Sequence, residues 1–400
     1  MDCQMVIRQR PAQGSAVHSF GQEKARQVQR FHSSFPGYAP TPLAALPKTA
    51  ACLGLGELYV KDESRRFELN AFKVLGGSYA IGSYIAEQLG MAMDQLSFAE
   101  MTGPALRRQL GELTFVTATD GNHGRGVAWT ANRLQQRSVV YMPQGSAPER
   151  LQNIRRLGAD ASILPMPYDD AVRHAKAQAA RKHWVLVQDT DGPGYTRIPT
   201  WIMQGYTTMA WEALAQLQGK KPTHIFLQAG VGSMAGALAA FFADVYGDGP
   251  EAPRVIIVEP ESADCIYRTA AAQDGKLHFA VGPMHTIMAG LACGEPCGTA
   301  WELLRDHADA FVSMPDEAAA LGMRLLGNPL AGDDRVIAGE SGAAGVGLAA
   351  ALMRWPELAG QREQLGLGAD SRVLCFSTEG ATDRENYRRV VWDGAWSGCK

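Results

Sequence analysis

Short runs of β-branched, aromatic and aliphatic residues alternate along the chain with longer stretches whose apolar positions recur every three or four residues. The short runs predict strands and the longer stretches predict amphipathic helices. Strands and helices in regular alternation are typical of βαβ units around a mostly parallel sheet, so the predicted fold class is α/β. Strands are predicted at residues 113–118, 138–142, 184–188, 224–228, 255–258 and 372–377.

The same pattern bears on how the chain is divided. Regular structure is predicted to follow a polar, proline-bearing lead-in that extends to about Ala45, and covering helices are predicted at 147–157 and 168–183. No internal repeat and no long Gly/Ser-rich or Pro-rich linker is evident in the sequence. Two domains would therefore share a close interface, with the chain crossing between them more than once.

Composition excludes several classes of protein. The 400 residues are 46% hydrophobic and 20% charged, which suits one or two globular domains with a sizeable core. With 38 Lys and Arg against 41 Asp and Glu, no positive excess is available for nucleic acid or an anionic membrane. The N-terminus lacks a secretory pattern, and seven scattered cysteines form no disulfide framework. We expect a cytoplasmic protein with reduced thiols.

Lys73 is the first candidate for chemistry. It lies in NAFKVLGG, between an aromatic residue and the apolar, glycine-containing start of a helix. Burial of a lysine disfavours its ammonium form and makes the amine a usable imine-forming nucleophile. The alternative is an ordinary lysine that extends from the first turn of a helix into solvent.

The second candidate is the turn TATDGNHGRG at 117–126, between a predicted strand and a predicted helix. Glycines flank Asn122 and His123, and the amides of a helix N-terminus suit an anion such as a carboxylate. A turn that only caps its own helix is equally compatible. Asp120 is less easily explained in this way, because a carboxylate there repels an anion unless it has a cationic partner or transfers protons.

The third candidate is QAGVGSMAG at 228–236, which follows a predicted strand and opens a helix. Its glycines, the hydroxyl of Ser233 and the helix dipole favour a phosphate. A dinucleotide is the alternative ligand, although the full GxGxxG pattern is absent. No GK[ST] ending is present to support a P-loop.

Asp189 and the segment STEGATD at 377–383 follow two further predicted strands, where α/β folds place ligand-binding groups. Asp189 is also compatible with a turn or helix-capping role. Cys293 and Cys297 have no second ligand pair, so no metal site is expected, and buried thiols are favoured for them and for Cys265. The nucleophile elbow GxSxG is missing.

Taken in order, NAFK followed by GG, DGNHGRG and GVGSMAG resemble the fold type II group of pyridoxal-phosphate enzymes, which includes tryptophan synthase β and the serine/threonine dehydratases. The resemblance extends from about residue 40 to 383 and includes VKDES at 60–64, VEPES at 258–262 and GESGAAG at 339–345. Within the group, ATDGNHGRGVAW at 118–129 and the QDT segment ending at Thr190 resemble the diaminopropionate ammonia-lyases.

The resemblance implies roles for the matching residues. Lys73 would hold pyridoxal 5'-phosphate covalently, Asn122 would hydrogen-bond its ring hydroxyl, and either Thr378 or Ser377 would meet its ring nitrogen. The phosphate would be bound by Gly230, Val231, Gly232, Ser233, Met234 and Gly236. The substrate would be bound by Thr119, Asp120, Gly121, Asn122, His123 and Asp189.

The implied activity is that of a carbon–nitrogen lyase, which eliminates ammonia from 2,3-diaminopropionate to give pyruvate and two ammonia. Lys73, Asp120 and Asp189 would be catalytic, with Asp120 serving the D isomer and Asp189 the L isomer. A serine or threonine dehydratase of the same fold, which expels hydroxide instead, is the nearest alternative. A noncatalytic protein that binds pyridoxal phosphate or an amino acid is the alternative from another class.

The resemblance also implies two three-layer αβα domains with mostly parallel sheets. The large, cofactor-binding domain would comprise residues 1–80 and 205–400, and the small domain, residues 81–204, would carry the DGNHG turn. The cofactor and a small amino-acid substrate would bind between them. A homodimer is expected, with neither nucleic acid nor membrane as a partner.

Overall fold

The computed structural model describes residues 3–11, 14–15, 17–119 and 121–397. Asp120, one of the predicted catalytic residues, lies outside these ranges. Within them the chain forms a seven-stranded and a four-stranded sheet, each accompanied by helices. The α/β fold with two mostly parallel sheets is confirmed.

The strands and helices are numbered in the order in which they occur along the chain. The strands are β1 (Gln4–Ile7), β2 (Leu43–Ala45), β3 (Glu57–Asp62), β4 (Thr114–Ala118), β5 (Arg137–Met142), β6 (Asp160–Ile163), β7 (Val185–Leu186), β8 (His224–Gln228), β9 (Arg254–Pro260), β10 (Ala310–Met314) and β11 (Arg372–Ser377). The helices are α1 (Gln22–Ser33), α2 (Pro47–Leu53), α3 (Val74–Leu89), α4 (Phe98–Met101), α5 (Pro104–Leu110), α6 (Asn122–Arg133), α7 (Pro148–Arg155), α8 (Tyr168–Lys182), α9 (Arg197–Gln216), α10 (Ser233–Tyr246), α11 (Cys265–Ala272), α12 (Gly298–His307), α13 (Asp316–Gly327), α14 (Ala344–Arg354), α15 (Ala359–Leu365) and α16 (Arg384–Val391).

The large sheet has the order β1-β10-β9-β8-β11-β3-β2. Its five inner strands are parallel, and the two edge strands, β1 and β2, pair antiparallel to their neighbours. Successive residues of β8 face different cores: Ile225 and Leu227 pack into one apolar cluster, and Phe226 packs into another. Because successive strand residues point to opposite faces, the sheet is covered on both sides, which is the expected three-layer arrangement.

The small sheet has the order β6-β5-β4-β7, and its strands are all parallel. Val116 of β4 packs into a cluster with α8, whereas Phe115 faces the core that the small sheet shares with the long helices of the large sheet. Helix α3 lies at this junction and packs against both α6 and α9. The proposed domain boundaries at 80/81 and 204/205 fall inside α3 and α9, so helices rather than loops connect the two sheets.

Two expectations for element positions need correction. The lead-in to Ala45 contains β1, α1 and β2, and β1 completes the large sheet because its residues pair with β10, where Met5 lies opposite Val312. The strand predicted at 184–188 is confined to Val185 and Leu186. Beyond it the amide of Val187 still donates to the carbonyl of Val116 at 2.8 Å, and then the side chain of Gln188 replaces a backbone partner, since its Oε1 accepts from the amide of Ala118 at 3.0 Å.

Glycines bring α3 into backbone contact with its neighbours. A Cβ on Gly205 of α9 would lie 2.4 Å from the carbonyl oxygen of Leu75, and one on Gly126 of α6 would lie 2.7 Å from Cα of Val74. Real Cβ atoms do not approach so closely, so only glycine permits these crossings. The first turn of α3, which directly follows Lys73, is thereby fixed between α6 and α9.

Two charged residues of the segment VKDES at 60–64, Lys61 and Glu63, belong to a buried ionic network. Lys61 Nζ lies 2.7 Å from Glu212 Oε2, and Arg66 bonds to both Glu63 and Glu212. All four side chains are nearly inaccessible to solvent. The network links β3 and the turn after it to α9, and its two positive and two negative charges compensate one another.

None of the helices in the described part of the chain combines the length and the apolar character that a membrane-spanning segment requires.

Candidate active site

A cavity of about 780 Å³ lies between the two sheets. The large sheet contributes the segments after the neighbouring parallel strands β8 and β11, and the small sheet contributes those after β4 and β7. The carboxyl ends of parallel strands are where α/β sheets place ligand-binding groups. The lining residues are Phe72, Lys73, Thr119, Asn122, His123, Tyr168, Asp189, Tyr206, Gln228, Ala229, Gly230, Val231, Gly232, Ser233, Met234, Ala289, Gly290, Leu291, Ala292, Cys293, Ser341, Thr378 and Glu379.

Lys73 and Asp189 meet inside this cavity, although 116 positions separate them in the chain. Lys73 Nζ donates to Asp189 Oδ2 at 2.6 Å. The Lys73 side chain is 19% exposed and that of Asp189 is 3% exposed, so the amine faces the cavity rather than bulk solvent. The solvent-extended alternative for Lys73 is therefore not what the structure adopts.

Asp189 is held in its charged form by its surroundings. Burial raises the pKa of the carboxyl. The Lys73 ammonium and His123 lower this pKa by more than burial raises it, and its net value is about 2. A group with this pKa is a carboxylate at neutral pH and can accept a proton but has none to donate. The backbone of Asp189 is fixed as well, because its carbonyl accepts from Ser233 Oγ at 2.7 Å.

The glycine-rich turn after β8 forms one wall of the cavity. Residues 230–234 line it, and Gly232 has a left-handed φ of 93° immediately before α10. The first amides of a helix have no carbonyl partner in a preceding turn, so they are available to an anion. A Cβ on Gly230 would lie 3.1 Å from Cys293 Sγ, so a side chain there would crowd the cavity wall. Gly236 lies deeper, packed against Ala300 of α12, and is not among the lining residues.

The DGNHG turn forms the opposite wall. Thr119 Oγ1 accepts from the amides of Gly121 at 2.9 Å and Gly124 at 3.2 Å, which closes the turn, and the Thr119 hydroxyl donates to no other group among the described residues. Gly121 is thus engaged within the turn and does not line the cavity, whereas Thr119, Asn122 and His123 do. His123 Nε2 bonds to the carbonyl of Val187 at 2.8 Å, which orients the ring.

The two hydroxyl residues at the end of β11 differ in position. Thr378 lines the cavity, and its Oγ1 accepts from Gln228 Nε2 at 3.0 Å. Since that bond uses a lone pair, the hydroxyl proton of Thr378 remains available for a ligand. Ser377 is fully buried beside Glu379 and is not among the lining residues.

Polar atoms without partners mark the cavity as a ligand site. Tyr206 Oη and Gln228 Oε1 are buried and accept or donate no hydrogen bond among the described residues. Buried polar groups are rarely left unsatisfied, so a ligand or water is expected beside them. An amine, an anion-binding glycine turn, and amide and hydroxyl groups that line the same cavity fit pyridoxal phosphate.

Sequence reasoning gave no individual role to several lining residues, namely Phe72, Tyr168, Tyr206, Gln228, Ser341 and Glu379, although Gln228, Ser341 and Glu379 lie in segments that it named. Gln228 and Glu379 end or follow parallel strands, and that position was a usable signal. Tyr206 comes from the middle of α9, where nothing in the local sequence separates it from a core residue. The expectation of buried thiols fits Cys265 and Cys297, whereas Cys293 is half-buried and lines the cavity.

Comparisons with known proteins agree with this geometry. The family model described as pyridoxal-phosphate dependent enzyme matches residues 34–378. The diaminopropionate ammonia-lyase of Escherichia coli strain K12 is 50% identical over 384 residues, which cover 95% of this chain and 94% of that protein. The solved holo structure of the E. coli enzyme superposes with a TM-score of 0.92 at 46% identity, covering 100% of this chain and 99% of the other. Its complex with an aminoacrylate-PLP azomethine reaction intermediate gives 0.90 at 47% identity, covering 99% and 98%.

Proposed function

This chain belongs to the diaminopropionate ammonia-lyase family of pyridoxal-phosphate-dependent enzymes, and we infer that its substrate is 2,3-diaminopropionate. It is an ammonia-lyase that uses pyridoxal phosphate. Elimination of the β-amino group as ammonia, followed by hydrolysis, gives pyruvate and a second ammonia, with one water consumed. The observation that carries the inference is the contact of Lys73 with Asp189 in a cavity that the glycine-rich turn also lines.

Lys73 is proposed as the residue that joins the cofactor through its Nζ. The amides after Gly230, together with the N-terminus of α10, would bind the phosphate, and Asn122 would bind the ring hydroxyl. Thr378 is proposed for the ring nitrogen in place of Ser377, since it faces the cavity with a hydroxyl proton to donate. When bound, pyridoxal phosphate supplies an electron sink that acidifies the α-proton of the amino acid.

The chain's own acids are proposed to move the α-proton. Asp189 is a carboxylate beside Lys73 at 2.6 Å, and it would accept the proton of the L isomer at an oxygen atom. Asp120, which lies outside the described residues, is proposed for the D isomer. Thr119, whose hydroxyl donates to no other group among the described residues, is proposed to bind the substrate carboxylate together with the turn at Asn122 and His123.

The reaction is tested by measuring both products from 2,3-diaminopropionate. We expect two molecules of ammonia for each pyruvate, and a higher kcat/KM for this substrate than for L-serine, which can yield only one. A preference for serine would favour the dehydratase alternative, and binding of the substrate with no pyruvate formed would favour a noncatalytic binding protein.

The organisation of the protein around this site is also a proposal. The strands of the small sheet, β4 to β7, all fall within residues 81–204, which supports the proposed small domain. A homodimer in the cytoplasm is proposed on the sequence-based expectation alone.

A further inference from the structure

Glu379 is an acid in the cavity wall to which the reaction above assigns no role. It follows β11, is 2% exposed and lines the cavity. Its Oε2 accepts from the side-chain amide of Asn122 and from Thr382 Oγ1 at 3.4 Å, and its Oε1 accepts from the amide of Ser341 at 3.3 Å. A buried carboxylate with these donors is held in one orientation.

The backbone of Glu379 is fixed by two other segments. Its carbonyl accepts from the amide of Gly339 at 2.9 Å, and the following residue, Gly380, donates to the carbonyl of Asn70 at 3.0 Å. A Cβ on Gly339 would lie 2.4 Å from the carbonyl oxygen of Gly380, so the two backbone segments around these glycines approach each other as closely as backbones can. The backbone at Glu379 is therefore tied both to Gly339 and to the segment that precedes Lys73.

Asn122 and Glu379 belong to different domains. Asn122 begins α6 beside the small sheet, and Glu379 follows the last strand of the large sheet. Their hydrogen bond crosses the cavity wall, as does the bond between Lys73 and Asp189. These two hydrogen bonds hold the two walls of the site in a fixed position relative to each other.

We propose that Glu379 is a positioning residue that orients the Asn122 amide toward the cofactor's ring hydroxyl and ties the small domain to the large one there. An asparagine amide has two N–H donors and one carbonyl, whereas a carboxylate only accepts. With one N–H bonded to Glu379, the second N–H and the carbonyl have fixed directions, and a flipped amide is excluded. The inference rests on the proposed contact of Asn122 with the cofactor.

The charge of Glu379 is partly balanced by Arg125, one turn after Asn122 in the same helix. Burial lowers the pKa of Arg125, and the negative charge of Glu379 acts to raise it, which indicates that the two groups lie close enough to interact. Asn122, whose amide Glu379 orients, and Arg125, whose positive charge offsets that of the Glu379 carboxylate, thus both belong to α6. This pattern is expected if the carboxylate serves to dock that helix.

A matched pair of substitutions tests the role. Glu379→Gln keeps an oxygen that can accept from Asn122, and Glu379→Met keeps the length of the side chain but removes the acceptor. Binding of pyridoxal phosphate is followed by the absorption of the lysine-bound cofactor, without any turnover. We expect E379M to bind the cofactor about 10- to 100-fold more weakly and E379Q to stay within about threefold of the unmodified protein.

The double variant N122A/E379M separates positioning from a merely structural role. If Glu379 acts through Asn122, the double variant binds the cofactor no more weakly than N122A alone. The double variant removes the Asn122 amide that E379M leaves unsatisfied, whereas the Ser341 amide lacks its acceptor in both, so thermal unfolding of E379M and of the double variant shows how much of any loss is structural. Asp264→Asn is the matched control, because Asp264 is a buried acid outside the cavity lining that accepts from Ser313 Oγ at 2.9 Å, and the cofactor affinity of this variant should be unchanged.

The inference is overturned if E379M binds the cofactor as the unmodified protein does, or if the losses in N122A and E379M multiply in the double variant. Failure of the unmodified protein to bind pyridoxal phosphate at all would count against the proposed function and is a separate result.

Discussion

Replacing Lys73 with alanine is expected to abolish the absorption band at about 410–420 nm of a lysine-bound pyridoxal phosphate. Turnover of 2,3-diaminopropionate should fall at least about 1,000-fold, since the amine is the proposed covalent tether and no other group replaces it. The structure gives a second effect of the change. Asp189 would remain buried without the ammonium that now lies 2.6 Å away, so the alanine variant should also be less stable.

Lys73→Arg separates these two effects. A guanidinium keeps the positive charge beside Asp189 but does not form a covalent bond with the cofactor's aldehyde. We expect the arginine variant to unfold at nearly the temperature of the unmodified protein and yet to lack the absorption band and the activity. An arginine or alanine variant that keeps the band would contradict the assignment of Lys73.

Replacing Asp189 with asparagine is expected to reduce turnover of the L isomer by about 100- to 10,000-fold, which is the usual contribution of a general base. Turnover of the D isomer should be affected far less, since Asp120 is proposed to take that proton. Asp120→Asn should show the reverse preference. The measurement is kcat/KM for each isomer with each variant.

Asp191→Asn is a matched control for this experiment. Asp191 lies two residues after Asp189 but accepts from the amides of Gly298 and Thr299 at the start of α12. Asparagine keeps one acceptor oxygen but removes the negative charge at this helix N-terminus, which should cost about 0.3–1 kcal/mol of stability and leave the ratio of D to L turnover unchanged. Equal losses on both isomers in both the Asp120 and the Asp189 variants would remove the proposed division of labour.

The strands that face the cavity were predicted from the sequence because each is a compact apolar run followed by a glycine or polar turn. The runs at 114–118 and 224–228 are examples, and their end residues lead directly into the cavity. The edge strand β1 was missed because Gln4–Ile7 becomes a strand only by pairing with β10, more than 300 positions away in the chain. No local pattern records such a partner.

Some residues of the candidate site could likewise be predicted from the sequence, and others could not. Lys73, Asn122 and the turn after Gly230 belong to local motifs whose chemistry can be recognised in sequence. Tyr206 could not be predicted, since its place in the cavity depends on the glycine-mediated crossing of α3 and α9. Glu379 was within a segment predicted to bind a ligand, but its contact with Asn122 required the two domains to be assembled.

The central claim is that Lys73 carries the cofactor in the cavity between the two sheets. Reduction of the holoenzyme with borohydride makes the bond between cofactor and lysine permanent, so that digestion and mass spectrometry identify the modified residue. We expect the phosphopyridoxyl group on the peptide that contains Lys73. Its appearance instead on another lysine, such as the buried Lys61 of the ionic network, or on none, would contradict the account.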